Sequence, residues 1–221
     1  MSSDIYRIAI DGPSGAGKST IAKAVAKKLN IDYIDTGAMY RAIGYKMSVC
    51  GVYPENQEAV NSMLAVTDID FDDGCIYLDG RDVSDHIRTP EMSMMASVCS
   101  TIPEVREKLV EIQRGMAERK SVIMDGRDIG TNVLTDAEVK IYLTASDEER
   151  AQRRFLELQE KGDPQTYDEV LEDIRQRDHN DMTRKLNPLR KAEDAVELDT
   201  TGMDIDQVVD RVLEIVAEKT A

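Results

Sequence analysis

Apolar residues recur along this chain in two rhythms, one suited to short buried strands and the other to helices. Ile5–Ile10 is an apolar run broken only by Arg7, of the length a buried strand needs. After the glycine-rich segment Asp11–Gly17, apolar positions at Ile21, Ala22, Val25, Ala26 and Leu29 predict a helix from Lys18 to Asn30. Ile31–Ile34 predicts a second strand running into Asp35-Thr36-Gly37, and Ala38–Cys50 reads as a helix. The pattern then changes. Ile69 and Phe71 alternate with aspartates, Asp73-Gly74 is a turn signal, and Ile76 and Leu78 alternate again, which predicts a small antiparallel hairpin with one apolar face.

Beyond the hairpin the first rhythm returns. Thr101-Ile102-Pro103-Glu104 reads as a helix start with Thr101 as cap, and Val105, Leu109, Ile112 and Met116 mark one face. Strands are predicted at Val122–Met124, Val139–Leu143 and Val196–Leu198. Between them, helices start at Ser146-Asp147-Glu148-Glu149 and at Thr166-Tyr167-Asp168-Glu169, the second ending before Asn187-Pro188. Ile205, Val208, Val209, Val212, Leu213 and Val216 predict a closing amphipathic helix. Strands separated by helices of this length point to an α/β fold with a parallel sheet flanked by helices on both faces. The hairpin suggests a small subdomain, roughly residues 60–98, inserted into a single domain spanning 1–221.

Composition narrows the function classes. Aromatics are only 5% and Trp is absent, so the core is built from Val, Ile, Leu, Met and Ala, which suits a layered α/β domain. The net charge of −15 repels a nucleic-acid backbone, so no nucleic-acid polymer is expected as partner, although a local arginine pocket can still hold a small anion. No apolar run suits a bilayer, the N-terminus lacks a secretory pattern, and Cys50, Cys75 and Cys99 show no metal or redox spacing. Together these predict a cytoplasmic protein without a membrane partner.

One motif carries the chemistry. Gly12-Pro13-Ser14-Gly15-Ala16-Gly17-Lys18-Ser19, followed by Thr20, fits G-x-x-x-x-G-K-[ST] and sits between a predicted strand and a predicted helix. A loop without bulky side chains lets backbone N–H groups converge on phosphate oxygens at a helix N-terminus. Lys18 can reach the β- and γ-phosphates, and the Ser19 hydroxyl can ligate magnesium. No guanine-reading Asn-Lys-x-Asp is present, which disfavours a GTPase. A small chain with this loop most often transfers the γ-phosphoryl to an acceptor, a reaction that needs positioning, magnesium and cations.

Arginines are available for that task. Arg150, Arg153 and Arg154 form a polar stripe beside Ala151, Phe155 and Leu158, and the break at Gly162-Asp163-Pro164 could end a mobile lid, roughly residues 150–166. The alternative is a solvated helix face paired with Glu148, Glu149 and Glu157. Arg177, Asp181 and Arg184, four and three apart, are predicted to share a helix face. Arg41, Arg106 and Tyr40 are ambiguous alone. The tetrapeptide Asp-Gly-Arg-Asp occurs twice, at 79–82 and 125–128. The first copy reads as a turn in an acidic hairpin. The second leaves a predicted core strand at the rim where open α/β sheets bind ligands, so Arg127 could meet phosphate and Asp128 a base edge.

The chain resembles the bacterial-type cytidylate kinases, a family of P-loop nucleoside monophosphate kinases. The resemblance rests on IDGPSGAGKST at 10–20, DTGAMYR at 35–41, MASVCSTIPEVRE at 95–107, DGRDIGT at 125–131, SDEERAQRRFLELQEKG at 146–162 and RQRDHNDMTRKLNPL at 175–189. It implies a P-loop core, an insert in the monophosphate-binding region and an arginine-bearing lid. It also implies transfer of the γ-phosphoryl of ATP, with Mg2+, to CMP or dCMP, and a monomer. By similarity Thr36, Ser97 and Asp128 lie near the base, with Thr36 standing where relatives carry Ser. Tyr40, Arg41 and Arg106 belong to the monophosphate site, Asp181 holds sugar hydroxyls, and Arg184 makes a further phosphate or base contact. Lys18, Arg127, Arg153, Arg154 and Arg177 are the implied catalytic cations. Asn180 and Met182 depart from the arginines that some relatives carry. A kinase for another small acceptor and a non-catalytic nucleotide switch remain the alternatives.

Overall fold

The computed structural model describes residues 6–72 and 74–220, so Ile5 of the first expected strand and Asp73 of the expected hairpin turn lie outside the described residues. In chain order the elements are β1 (Arg7–Asp11), α1 (Lys18–Leu29), β2 (Asp32–Asp35), α2 (Thr36–Cys50), α3 (Gln57–Ala65), β3 (Ile69–Asp72), β4 (Cys75–Leu78), β5 (Arg81–Asp82), α4 (Pro90–Cys99) and α5 (Pro103–Ala117). There follow β6 (Val122–Gly126), a π turn (Ile129–Val133), β7 (Val139–Thr144), α6 (Asp147–Glu160), α7 (Tyr167–Thr183), β8 (Val196–Asp199) and α8 (Ile205–Thr220). The chain forms two units, Met1–Tyr33 with Lys120–Ala221, and Ile34–Arg119.

The first unit is built on the sheet β2-β6-β1-β7-β8. The β1, β6, β7 and β8 pairings are parallel, with Ile8 opposite Ile123 and Val139, and Ile141 opposite Val196. Ile8, Ala9 and Ile10 are all fully buried, as a continuous apolar run in a central parallel strand requires. Ile8, Ile10, Ile123, Val139 and Ile141 pack with Ile21 and Val25 of α1 and with Val208, Val212 and Val216 of α8. A smaller cluster joins α6 to α7 through Ala151, Leu158, Val170 and Ile174, with Phe155 and Tyr167 edge to face. Both helix starts use the expected caps. Ser146 accepts from the Glu149 N–H, and Thr166 with Glu169 forms a capping box.

The second unit departs further from expectation. The hairpin has a third strand, because Asp79 (φ 51°) and Gly80 (φ 73°) make a left-handed turn and Arg81-Asp82 then pairs with Tyr77-Leu78. Helices α3 and α4 were not anticipated, although Val60, Met63 and Leu64 of α3 stand at helical spacing. Helix α4 packs on α2, where a Cβ on Gly44 would lie 2.7 Å from the Met95 Cβ, so only glycine allows that approach. Helix α2 starts at Thr36, two residues before the expected Ala38, since Asp35 caps it by accepting from the Ala38 N–H at 2.8 Å. Thr101 does not cap α5. Its hydroxyl turns back to the Val98 carbonyl, the cap position falls to Ile102, and Pro103 starts the helix.

Candidate active site

The site in the first unit grows from the C-terminal ends of β1, β6 and β7. The chain leaves β1 at Asp11 and must pass the end of β7, where a Cβ on Gly12 would sit 2.0 Å from the Leu143 carbonyl oxygen. With its φ of 151°, that position accepts only glycine. Gly15 and Gly17 also have positive φ, at 72° and 82°, and Gly17 is the cap position of α1 with no side chain bonded to the first helical amides. Those N–H groups lack an intrahelical partner by construction, so the loop presents a concave set of donors suited to an anion.

Lys18 is buried, and its ammonium donates to the Pro13 carbonyl at 2.7 Å. Burial, then repulsion from Arg127, pulls its pKa down to about 7. Asp125, buried near the end of β6, receives the Ser19 hydroxyl at 2.8 Å and the Tyr33 hydroxyl at 2.8 Å. Strand β6 therefore runs one residue past Asp125, and only Arg127 and Asp128 of the tetrapeptide project beyond it.

Arg127 donates from Nε to Asp181 at 2.8 Å. Burial lowers its basicity, but Asp181, then Asp178 and Asp125, outweigh this and lift it above the ordinary arginine range. Arg184 donates to Asp128 at 3.0 Å, with both side chains less than a tenth exposed. The expected neighbourhood of Asp181 and Arg184 forms, with Arg184 Nη1 3.9 Å from Asp181 Oδ1, but not on a shared helix face. Helix α7 ends at Thr183, Arg184 is its extended cap, and its Nε bonds the Asn187 carbonyl. Arg127 joins Asp181 from the other side of its carboxylate.

The remaining cations divide. Arg177 is held below the ordinary arginine range by burial, then by repulsion from Arg154, with a further repulsion from Arg127. Arg154, half-buried on α6, pairs with Glu157 at 3.1 Å. Arg153 is engaged elsewhere, with Glu149 at 2.5 Å and the Thr200 carbonyl at 3.1 Å. Arg150 does not belong to the solvated stripe at all, because it is buried against the glycine-rich loop.

Two functional candidates, Asp11 and Asp178, escaped the sequence reading, and Arg150 takes another place than the one expected of it. Asp11 accepts the Ile129 and Gly130 N–H groups at 2.7 Å each and so fixes the π turn behind Arg127 and Asp128. Burial pushes its pKa up to about 6 against those two bonds. Asp178 and Arg150 hold the loop at Ser14. A signal existed for Asp178, since it extends the buried stripe Val170–Ile174 by one further turn, where an apolar residue would be usual.

In the second unit, Thr36 is buried at the start of α2 and Arg41 pairs with Asp35 at 3.0 Å. The Arg41 Nε is buried and has no hydrogen-bond partner within the described residues. Arg106 is buried on α5, and its guanidinium lies 5.8 Å from the centre of the Tyr40 ring. Ser97 is half-buried on α4, its carbonyl taken by the Ser100 hydroxyl. This unit thus carries a buried guanidinium, Arg106, on α5 and a half-buried one, Arg41, on α2.

A sequence profile described as cytidylate kinase matches residues 8–218. The chain belongs to the cytidylate kinase family. The cytidylate kinase of Caldicellulosiruptor saccharolyticus is 56% identical over 212 residues, covering 94% of each chain. That of Clostridioides difficile is 52% identical over 206 residues, covering 93% of this chain and 95% of the relative. Among solved structures, a shikimate kinase from Acinetobacter baumannii in complex with shikimate superposes with a TM-score of 0.50. It covers 97% of this chain and 94% of the other at 16% identity, so it speaks to the P-loop kinase fold alone. No helix of the described residues is long and apolar enough to cross a membrane.

Proposed function

We propose that the protein transfers the γ-phosphoryl group of ATP to CMP or dCMP, giving ADP and CDP or dCDP. The observation that carries this reading is the loop itself: Gly12, Gly15 and Gly17 take positive φ, no side chain caps the first amides of α1, and the buried Lys18 ammonium lies against the loop. Backbone donors and a cation set this way suit a polyanion, and a triphosphate is the polyanion this type of loop takes. In the reading, Gly12–Thr20 cradle the donor phosphates. Lys18, Arg127, Arg154 and Arg177 then stabilise the charge that moves onto the transferring oxygens, joined by Arg153 once it leaves Glu149 and Thr200.

The acceptor side is assigned by family resemblance. Arg41 and Arg106 take the acceptor phosphate beside Tyr40, and the orphaned Arg41 Nε supports an anion as their occupant. Thr36, Ser97 and Asp128 read the base, while Asp181 and Arg184 hold the sugar and a phosphate or base edge. The insert near 60–98 and the lid near 150–166 serve the acceptor and donor ends respectively.

Magnesium fits the donors present. The Ser19 hydroxyl and the Asp125 carboxylate stand together as hard oxygen groups, and no cluster of three or more acidic, His or Cys ligands occurs among the described residues. That is the donor set of an ion carried mainly by phosphates and water. Ser19 would hold the ion, with Asp125 orienting its bound water, and the ion would supply charge neutralisation on the phosphates. A cytoplasmic monomer is the accompanying proposal.

The test is an ADP-release assay with magnesium-ATP against CMP, dCMP, UMP, AMP and GMP. CMP and dCMP turn over, and UMP is used poorly, because Asp128 with Arg184 is arranged to meet an exocyclic amine. UMP turnover equal to that of CMP would overturn the specificity. A different monophosphate acceptor, or no acceptor-dependent ADP at all, would overturn the function.

A further inference from the structure

The backbone of Ser14 is gripped on both sides of its Cα. Its N–H donates to Asp178 Oδ1 at 2.8 Å, and its carbonyl accepts from Arg150 Nη1 at 2.5 Å. The same Nη1 reaches Asp178 Oδ2 at 2.6 Å, which closes a ring of three bonds around the backbone of one loop residue. Arg150 Nε is spent on the Ala145 carbonyl at 3.0 Å and Nη2 on Asp147 at 2.5 Å. The side chains are 3% and 10% exposed. Neither is therefore a free cation or anion at the mouth of the site, and four of the five Arg150 N–H donors are spent within the protein.

Two consequences follow from this arrangement. An amide already donating to a buried carboxylate is not available to a nucleotide oxygen, so the phosphate nest begins after Ser14. Helices α6 and α7 are also tied to the loop through it, since Arg150 lies on one and Asp178 on the other. Arg177 directly precedes Asp178, and Arg153 and Arg154 lie within a turn of Arg150, so one tether sets the register of these arginines against the loop. Gly15 leaves room for it, with a Cβ there only 3.2 Å from the Arg150 Cβ.

We propose that Arg150 and Asp178 are positioning residues for the donor phosphates, shaping the loop before nucleotide binds, withholding the Ser14 N–H from the phosphate nest and registering helices α6 and α7 to it. This rests on the reading of Gly12–Thr20 as the donor cradle. A loop held in its binding shape in advance spares the nucleotide the cost of ordering it.

The wild-type protein gives the first test, by amide hydrogen exchange resolved by NMR with and without a magnesium complex of a non-hydrolysable ATP analogue. Without nucleotide the Ser14 amide exchanges about tenfold or more slowly than that of Gly15, and nucleotide slows Gly15–Ser19 while leaving Ser14 unchanged. A Ser14 amide that exchanges quickly and is slowed by nucleotide would be a phosphate donor, and the proposal would fall while the cradle stood. If nucleotide slows none of these amides, the cradle reading falls and takes the proposal with it. The second test is Asp178→Asn and, as the milder change, Arg150→Lys. Each raises KM for ATP about tenfold and changes KM for CMP less than about threefold, and the double variant is no worse than the more affected single one. Variants that lower Tm but keep KM for ATP within twofold of wild type would make the ring purely structural and overturn the proposal.

Discussion

The tetrapeptide Asp-Gly-Arg-Asp appears in both units and does different work in each. At 79–82 all four residues are exposed. Asp79 and Gly80 turn the chain in the left-handed region, Arg81 and Asp82 form a two-residue edge strand, and Asp82 receives the Ser84 N–H. At 125–128 three of the four are buried. There Asp125 and Gly126 still belong to a central parallel strand, paired with Ile10 and Asp11, and the chain turns only after Gly126. An antiparallel edge exposes what it carries. The C-terminal rim of a parallel sheet buries its last side chains among helix ends and other charges, and there an Arg and an Asp acquire ion-pair partners, Asp181 and Arg184.

The comparison breaks most sharply at the arginines. Arg127→Ala lowers kcat roughly 10²–10³-fold, the range for removing one preorganised group that stabilises transition-state charge. Arg81→Ala keeps kcat within twofold. Steady-state assays on both variants decide it, and an equal loss in the two would end the distinction. Next come the aspartates. Asp128→Asn raises KM for CMP about tenfold or more, because a charge-assisted bond is lost in a buried place, whereas Asp82→Asn leaves it unchanged. Measuring KM for CMP and for ATP separately shows whether the loss lies on the acceptor side.

A smaller effect runs the opposite way. Gly80→Ala costs about 1 kcal/mol, because the left-handed turn suits glycine, and thermal denaturation registers this as a drop of several degrees with activity intact. The subtlest prediction concerns Asp11, which braces the residues just after the second copy. Its pKa rises from 3.8 unfolded to about 6 folded. The folded state thus holds that proton more tightly, and the resulting stabilisation is full below about pH 4 and lost as pH rises through 6. An Asp11→Asn variant lacks this term, so its stability deficit against wild type shrinks between pH 4 and 7. Denaturant unfolding across that range checks the sign, and a deficit that grows would refute it.

The parts of the site that could be read from sequence are those made by neighbours in the chain. Gly12–Ser19 announced itself because phosphate binding by backbone needs contiguous glycines between a strand and a helix, and the flanking periodicity was clear. The capping box at Thr166–Glu169 and the strands of the parallel sheet were legible for the same reason. Helix α4 was not, because its apolar residues do not favour one face and its place depends on Gly44 meeting Met95. Arg150 looked like part of a polar stripe, and only the buried neighbours show that it holds the loop.

By itself, then, the sequence determined the kind of anion-binding loop, the alternation of strand and helix, and the family, since these depend on short-range spacing and local backbone chemistry. Tertiary structure decided which charged residues face one another. Ser14 and Asp178 are separated by 164 positions, and Asp11 and Ile129 by 118. No local pattern encodes such meetings, because a carboxylate's role depends on how deeply it is buried and on what charge the folded chain sets beside it.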